Sequence, residues 1–61
     1  HEALDGLARL DPRLAKVVEM RYFGGMKETE IAESLGLTER TVRRDWDFAR
    51  AWMKVALGGA R

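Results

Sequence analysis

The chain has 61 residues, no cysteine, one histidine and a formal net charge of +1. This length suits one domain with a small core, and the lack of cysteine excludes disulfides and thiolate metal sites and fits a reducing cytosol. No apolar run approaches the about 20 residues that a membrane-spanning helix needs, and no signal peptide is visible. We therefore expect one cytoplasmic domain over residues 1–61 with no membrane partner. Because the chain begins with His1 and not methionine, we expect it to be part of a longer polypeptide.

Charge is unevenly distributed along the chain. Residues 1–37 carry five Lys/Arg and seven Asp/Glu, a net charge of −2, whereas residues 38–61 carry six Lys/Arg and three Asp/Glu, a net charge of +3. A basic excess confined to one segment is a better indicator of an anionic partner than the small total charge. The last third of the chain is therefore where a nucleic-acid contact is expected.

Two helices are predicted in the first third of the chain. The first, near residues 2–9, has apolar residues at helical spacing, although Gly6 weakens it. Asp11 is a suitable N-cap and Pro12 suits the first position of a second helix, which we expect to run over residues 12–23. The apolar sets of these two helices are Leu4, Leu7, Ala8 and Leu10, and Leu14, Val17, Val18 and Tyr22.

The middle of the chain predicts a short helix between two glycine turns. Gly24-Gly25 ends the second helix, and Met26 is expected to fill the core behind this turn. A third helix over residues 28–35 would bury Ile31, Ala32 and Leu35. Gly36 then provides a positive φ angle, and Leu37 is expected to fold back into the core.

The fourth helix, predicted over residues 39–57, has two different faces. Thr38 is a good N-cap, and Gly58-Gly59 is a good terminator. At 100° per residue an apolar arc forms from Val42, Trp46, Ala49, Met53, Ala56 and Leu57. The opposite arc contains Arg40, Arg43, Arg44, Asp47, Ala51 and Lys54.

These elements predict an all-α fold, a compact four-helix bundle that contains a helix-turn-helix formed by the third and fourth helices. No stretch alternates with period two as a strand would. We expect Trp46 to be buried between helices two, three and four, and Met53 to be core. Trp52 and Phe48 are expected either to be covered by helix one or to remain open as a patch for a partner. Arg21 is expected to pair with Glu30 or Asp45.

The order of several short motifs resembles a known family. LDPR, RYFGG, EIAESLGLTERTV and ARAW occur in this order between Leu10 and Met53, and this stretch resembles region 4 of bacterial sigma-70 family sigma factors, closest to the extracytoplasmic-function (ECF) type. The resemblance implies a C-terminal domain that reads the minus-thirty-five promoter element in the major groove and directs RNA polymerase to initiate transcription. It also implies docking on the β flap of RNA polymerase and control by an anti-sigma factor.

The resemblance further implies which residues contact DNA. The base-reading and phosphate-contacting positions are carried over from the family as Glu39, Arg40, Thr41, Arg43 and Arg44. The capping residue Thr38 is included with them as a DNA-binding residue. A guanidinium group can donate two parallel bonds to a guanine or clamp a phosphate. Glu39 either accepts from a cytosine amino group or only stabilises the helix N-terminus.

The sequence departs from the family pattern at three positions. Lys27 stands where many relatives have a Ser or Thr cap, so the capping box with Glu30 is incomplete. Asp45 and Phe48 stand where many relatives have basic residues. DNA contact is therefore expected to be confined to the first turns of the fourth helix, with a structural role for Asp45.

Other functional classes are weaker alternatives. The arginines could form only a solvated face, and the chain could instead be a LuxR-type helix-turn-helix output domain, which would dimerise, or a helical protein-interaction module, which would show no salt-sensitive DNA binding. Catalysis has almost no support, because the single histidine is terminal and Glu28, Glu30 and Glu33 would be spread around a solvated helix. No phosphate-binding loop or metal-ligand spacing occurs, so we expect no cofactor and no metal.

Overall fold

The computed structural model describes residues 2–58, and these form four α-helices without any strand. The helices are α1 (Glu2–Leu10), α2 (Pro12–Val18), α3 (Glu28–Leu35) and α4 (Glu39–Ala56), and α2 continues directly into a π-helical turn over Glu19–Phe23. The predicted all-α fold with a helix-turn-helix is confirmed. None of the described helices is both long and apolar enough to cross a membrane. The expectations for His1 and Gly59 lie outside the described residues.

The start of α2 follows the predicted capping chemistry, but its end does not follow α-helical geometry. Asp11 accepts a bond from the Arg13 N–H at 3.0 Å, and Pro12 occupies the first turn. At the other end, the Gly24 N–H donates to the Glu19 carbonyl five residues earlier at 2.8 Å. A π turn has more residues per turn than an α-helix, so side chains within it are rotated from their α-helical positions. Tyr22 was predicted to be inward-facing and is instead 71% exposed.

The core consists of two clusters that meet at α4. One combines buried residues of α1, α2 and α4, and the other combines buried residues of α2, α3 and α4. Trp46 packs against both clusters and so links the α1 side of the bundle to the helix-turn-helix. The buried members are Leu7, Leu14, Val18 and Ala49 in the first cluster, and Val17, Ile31, Ala32 and Val42 in the second.

The apolar arc of α4 is less deeply buried than predicted. Trp46 and Met53 are half-buried, not enclosed, while Ala56 and Leu57 are exposed. Ala56 lines an open pocket together with Ala3 of α1, so the last turn of α4 lies beside α1 without being covered by it. Leu10 is also exposed, because it is the last residue of α1 and lies away from the core.

Trp52 and Phe48, which were expected either to be covered by helix one or to remain open as a patch, have different environments. Trp52 lies directly on α1, where a Cβ added at Gly6 would be 3.0 Å from Trp52 Cη2. Gly6 therefore permits the close approach of α1 and α4, despite its low helix propensity. Phe48 remains 52% exposed. Helix α1 thus covers Trp52 and leaves Phe48 open.

Arg21 does not form either of the predicted ion pairs. Its guanidinium lies 5.8 Å from the centroid of the Trp46 ring, and it donates to the Met26 carbonyl at 3.5 Å. Because the π turn rotates this side chain, it lies over the indole face and not against the carboxylate of Asp45, which Arg13 occupies. A cation over an indole ring is attracted by the ring's electron-rich face.

The turn between α3 and α4 depends on Gly36, which ends α3 in the left-handed conformation with φ 69°. The Leu37 N–H then donates to the Ala32 carbonyl at 2.8 Å, and the Leu37 side chain packs against the second cluster. At the start of α3, Glu30 accepts from the Lys27 N–H at 2.8 Å. Since a lysine ammonium is not an acceptor, the capping box has only this half.

We expect Gly36→Ala to lower the free energy of unfolding by about 1 kcal/mol, because the left-handed conformation is costly for a residue with a Cβ. A Cβ at this site would meet no atom within 4 Å, so the backbone conformation alone would cause the loss. Gly36→Asn is the matched control, and it should cost less because asparagine tolerates this conformation. Urea denaturation gives both values. An alanine variant as stable as the parent would contradict the role assigned to Gly36.

Candidate nucleic-acid interface

The first turn of α4 is fixed by two threonines. The Thr38 hydroxyl accepts from the Thr41 N–H at 3.1 Å and donates to the Thr41 hydroxyl oxygen at 3.0 Å. Thr38 has the extended backbone of an N-cap, with φ −80° and ψ 156°, which confirms the predicted cap. The side chains that follow in this turn are therefore presented from a defined backbone.

Charged side chains surround this first part of α4. Glu39, Arg40, Arg43 and Arg44 are exposed, and Thr41 is half-buried beside them. Val42, fully buried in the second core cluster, anchors the same two turns to α2 and α3. The structure thus brings the six sequence-predicted site residues together at the N-terminal end of one anchored helix, and the DNA contacts assigned to them stay a prediction.

Arg43 has a partner that the sequence analysis did not identify. Its Nε lies 3.3 Å from Oε1 of Glu28, the first residue of α3. The two residues are 15 positions apart, and the contact joins the two helices of the helix-turn-helix. The sequence had placed Glu28 on a solvated face, because a single-helix wheel cannot show a contact made across the turn.

Asp45 forms an ion pair with the start of α2. The residue is 8% exposed. A terminal amino group of Arg13 donates to its Oδ1 at 3.1 Å, and Nε of the same guanidinium lies 2.8 Å from Oδ2. This ion pair ties the start of α2 to the middle of α4. The structural role expected for Asp45 is present, and its partner Arg13 was missed.

An open cleft lies beside the exposed arginines, between α4 and the start of α2. It has a volume of about 640 Å³, and Thr41, Arg44 and the Arg13–Asp45 pair lie along it. Phe48, which is 52% exposed, forms part of its wall. The remaining lining residues are Asp11 and Leu14.

Arg50 belongs to a different part of α4. Its guanidinium lies 3.0 Å from the Asp47 carboxylate and 5.8 Å from the centroid of the Trp46 ring, in the second half of the helix. By the 1.5 Å rise per residue, it is about 9 Å further along the axis than Arg44. Its positive charge is therefore engaged within the domain, away from the first two turns.

A second surface, here called the apolar groove, lies nearly opposite the cleft on α4. Its volume is about 330 Å³. Tyr22 and Phe23 are both largely exposed at its edge, with ring centroids 5.0 Å apart in an edge-to-face arrangement. Arg50 and Lys54 add positive charge to it. The apolar residues that line the groove are Val18, Tyr22, Phe23, Trp46, Ala49, Met53 and Leu57.

Comparison with known proteins gives one family. The model of a family described as "ECF sigma factor" matches residues 1–59, nearly the whole chain. No curated protein and no solved structure matches significantly.

Proposed function

The chain belongs to the ECF sigma factor family of transcription initiation factors, and we propose that it is the DNA-reading domain of such a factor. In this proposal residues 1–61 are one domain of a longer chain. The domain binds the minus-thirty-five promoter element through the first two turns of α4 and so directs RNA polymerase to a start site. The family is non-enzymatic, and the proposed activity is binding alone.

The observation that carries this proposal is the group of exposed arginines at the N-terminal end of an anchored helix. A recognition helix meets base edges in the major groove with its N-terminal residues. Within residues 2–58, Arg40 and Arg44 have no side-chain partner, so their guanidinium groups are available to guanine edges or phosphates. Thr38 and Thr41 set the start of the helix, and Glu39 stands where it would face either a cytosine or the helix N-terminus.

Binding by the isolated domain should be weak and strongly dependent on salt. We expect about three to five phosphate contacts, which would give a slope of roughly −3 to −4.5 in a plot of log affinity against log salt concentration. Fluorescence anisotropy with a labelled duplex at several salt concentrations measures this slope. An affinity that does not change with salt would reject DNA binding and leave the interaction-module alternative.

The apolar groove is the proposed docking site for the β flap of RNA polymerase. The α4 residues that line the groove begin at Trp46 and all follow Arg44 along the helix, so a partner seated there leaves the arginines of the first two turns free for DNA. The exposed rings of Tyr22 and Phe23 provide apolar area that no element among residues 2–58 covers. An anti-sigma factor that competes with polymerase would bind the same apolar groove.

We expect Phe23→Ala to weaken binding of a purified β-flap domain about fivefold, a loss of about 1 kcal/mol. The ring is largely exposed, so the fold should be kept. Val55→Ala is the matched control, because Val55 is an exposed apolar residue of α4 that does not line the groove. Equal flap affinities for the two variants would reject the groove as the docking site and leave the DNA-reading proposal intact.

A further inference from the structure

We propose that Glu28 is a positioning residue for base reading: it holds the Arg43 guanidinium in the orientation that reads one base step, without itself touching DNA. This inference rests on the proposed function, since it assumes that α4 reads DNA. Glu28, the first residue of α3, then contributes to sequence preference from outside α4.

The geometry of the pair suits positioning. The Glu28 carboxylate contacts Nε of Arg43 at 3.3 Å, and the Glu28 side chain is only 25% exposed, whereas that of Arg43 is 61% exposed. The carboxylate is therefore the fixed member, packed at the start of α3, and the guanidinium projects outward. A bond through Nε leaves both terminal amino groups of Arg43 as donors, and these are the groups that can form a fork with a guanine edge.

The pair differs from the other arginines of α4. Arg50 is also bonded to a carboxylate, but its partner Asp47 lies one turn away on the same helix and is itself exposed. The Glu28–Arg43 contact instead fixes the reading side chain relative to the preceding helix. Among residues 2–58, Arg43 is the one member of the Arg40, Arg43 and Arg44 group with such a partner.

Two physical effects follow, and both raise discrimination. Restricting Arg43 before binding reduces the rotamer entropy that must be lost on the correct base. A carboxylate beside the DNA surface also repels phosphates, which disfavours sequences that offer only backbone contacts. Glu28 should therefore lower non-specific affinity while it strengthens preference at the base that Arg43 reads.

The test is selection from a pool of randomised DNA duplexes by the parent chain and by Glu28→Ala, Glu28→Gln and Arg43→Ala, with base preferences scored at each position. Arg43→Ala should lose preference at one or two positions by at least about fivefold. Glu28→Ala should lose preference at those same positions and keep it elsewhere, and the Glu28→Ala/Arg43→Ala double variant should be no worse than Arg43→Ala. Glu28→Gln should be intermediate, because its amide oxygen still accepts from Nε.

Glu33→Ala is the matched control, since it removes an exposed carboxylate from the same helix and should keep all preferences. Preference is a ratio within one protein sample, so partial unfolding of a variant does not change it. If Glu28→Ala keeps the preference at the Arg43 positions, or loses preference uniformly at all positions, the positioning role is overturned. If the parent chain enriches no motif, the proposed function fails together with this inference.

Discussion

Trp46→Ala should lower the free energy of unfolding by about 3 kcal/mol, the lower end of the range for buried tryptophan because the ring is only half-buried. Trp46 packs against both core clusters, so its loss opens a gap between the α1 side and the helix-turn-helix. The guanidinium groups of Arg21 and Arg50 also lie 5.8 Å from the ring centroid and would lose a favourable partner. In a domain of this size, such a loss is a large fraction of the total stability.

Urea denaturation followed by far-UV circular dichroism measures this loss. Phe48→Ala is the matched control, because it removes an aromatic ring from the same helix at a site that is 52% exposed, and it should cost less than about 1 kcal/mol. Similar losses for the two variants would mean that Trp46 does not link the two core clusters.

Much of the fold could be predicted from local sequence signals. The signals for helix ends act locally. Asp11 and Thr38 accept hydrogen bonds from N–H groups two and three residues later, and Gly36 supplies a positive φ angle. The start of α2, the start of α4 and the end of α3 therefore follow from the sequence alone. The position of Tyr22 could not be predicted in this way. Its exposure depends on the π turn after Val18, and a helical wheel assumes 3.6 residues per turn throughout.

In the candidate site, too, some features could be predicted from the sequence and others could not. The exposed arginines in the first two turns of α4 could be predicted, because their positions follow from the period of a single helix. The Arg13–Asp45 and Glu28–Arg43 pairs could not, because each depends on how two helices cross. The only sequence signal for the first pair was the unusual aspartate at position 45, and no sequence signal indicated the second.

Alanine at Arg43 or Arg44 should weaken binding to the preferred duplex by about 1–3 kcal/mol and relax preference at one or two base positions. Both side chains project from the first two turns of α4, where a recognition helix meets base edges. Arg50 lies about 9 Å further along the axis than Arg44 and is bonded to Asp47, so Arg50→Ala should weaken all sequences alike or have no effect. Lys54→Ala should behave in the same way.

The most direct test of DNA reading by the first two turns of α4 is a competition experiment. Each variant, Arg43→Ala, Arg44→Ala and Arg50→Ala, is offered the duplex that the parent chain selects and a scrambled duplex at one fixed salt concentration. We expect the Arg43 and Arg44 variants to lose discrimination between the two duplexes and the Arg50 variant to keep it. Loss of discrimination by the Arg50 variant, with discrimination kept by the other two, would contradict DNA reading by the first two turns of α4.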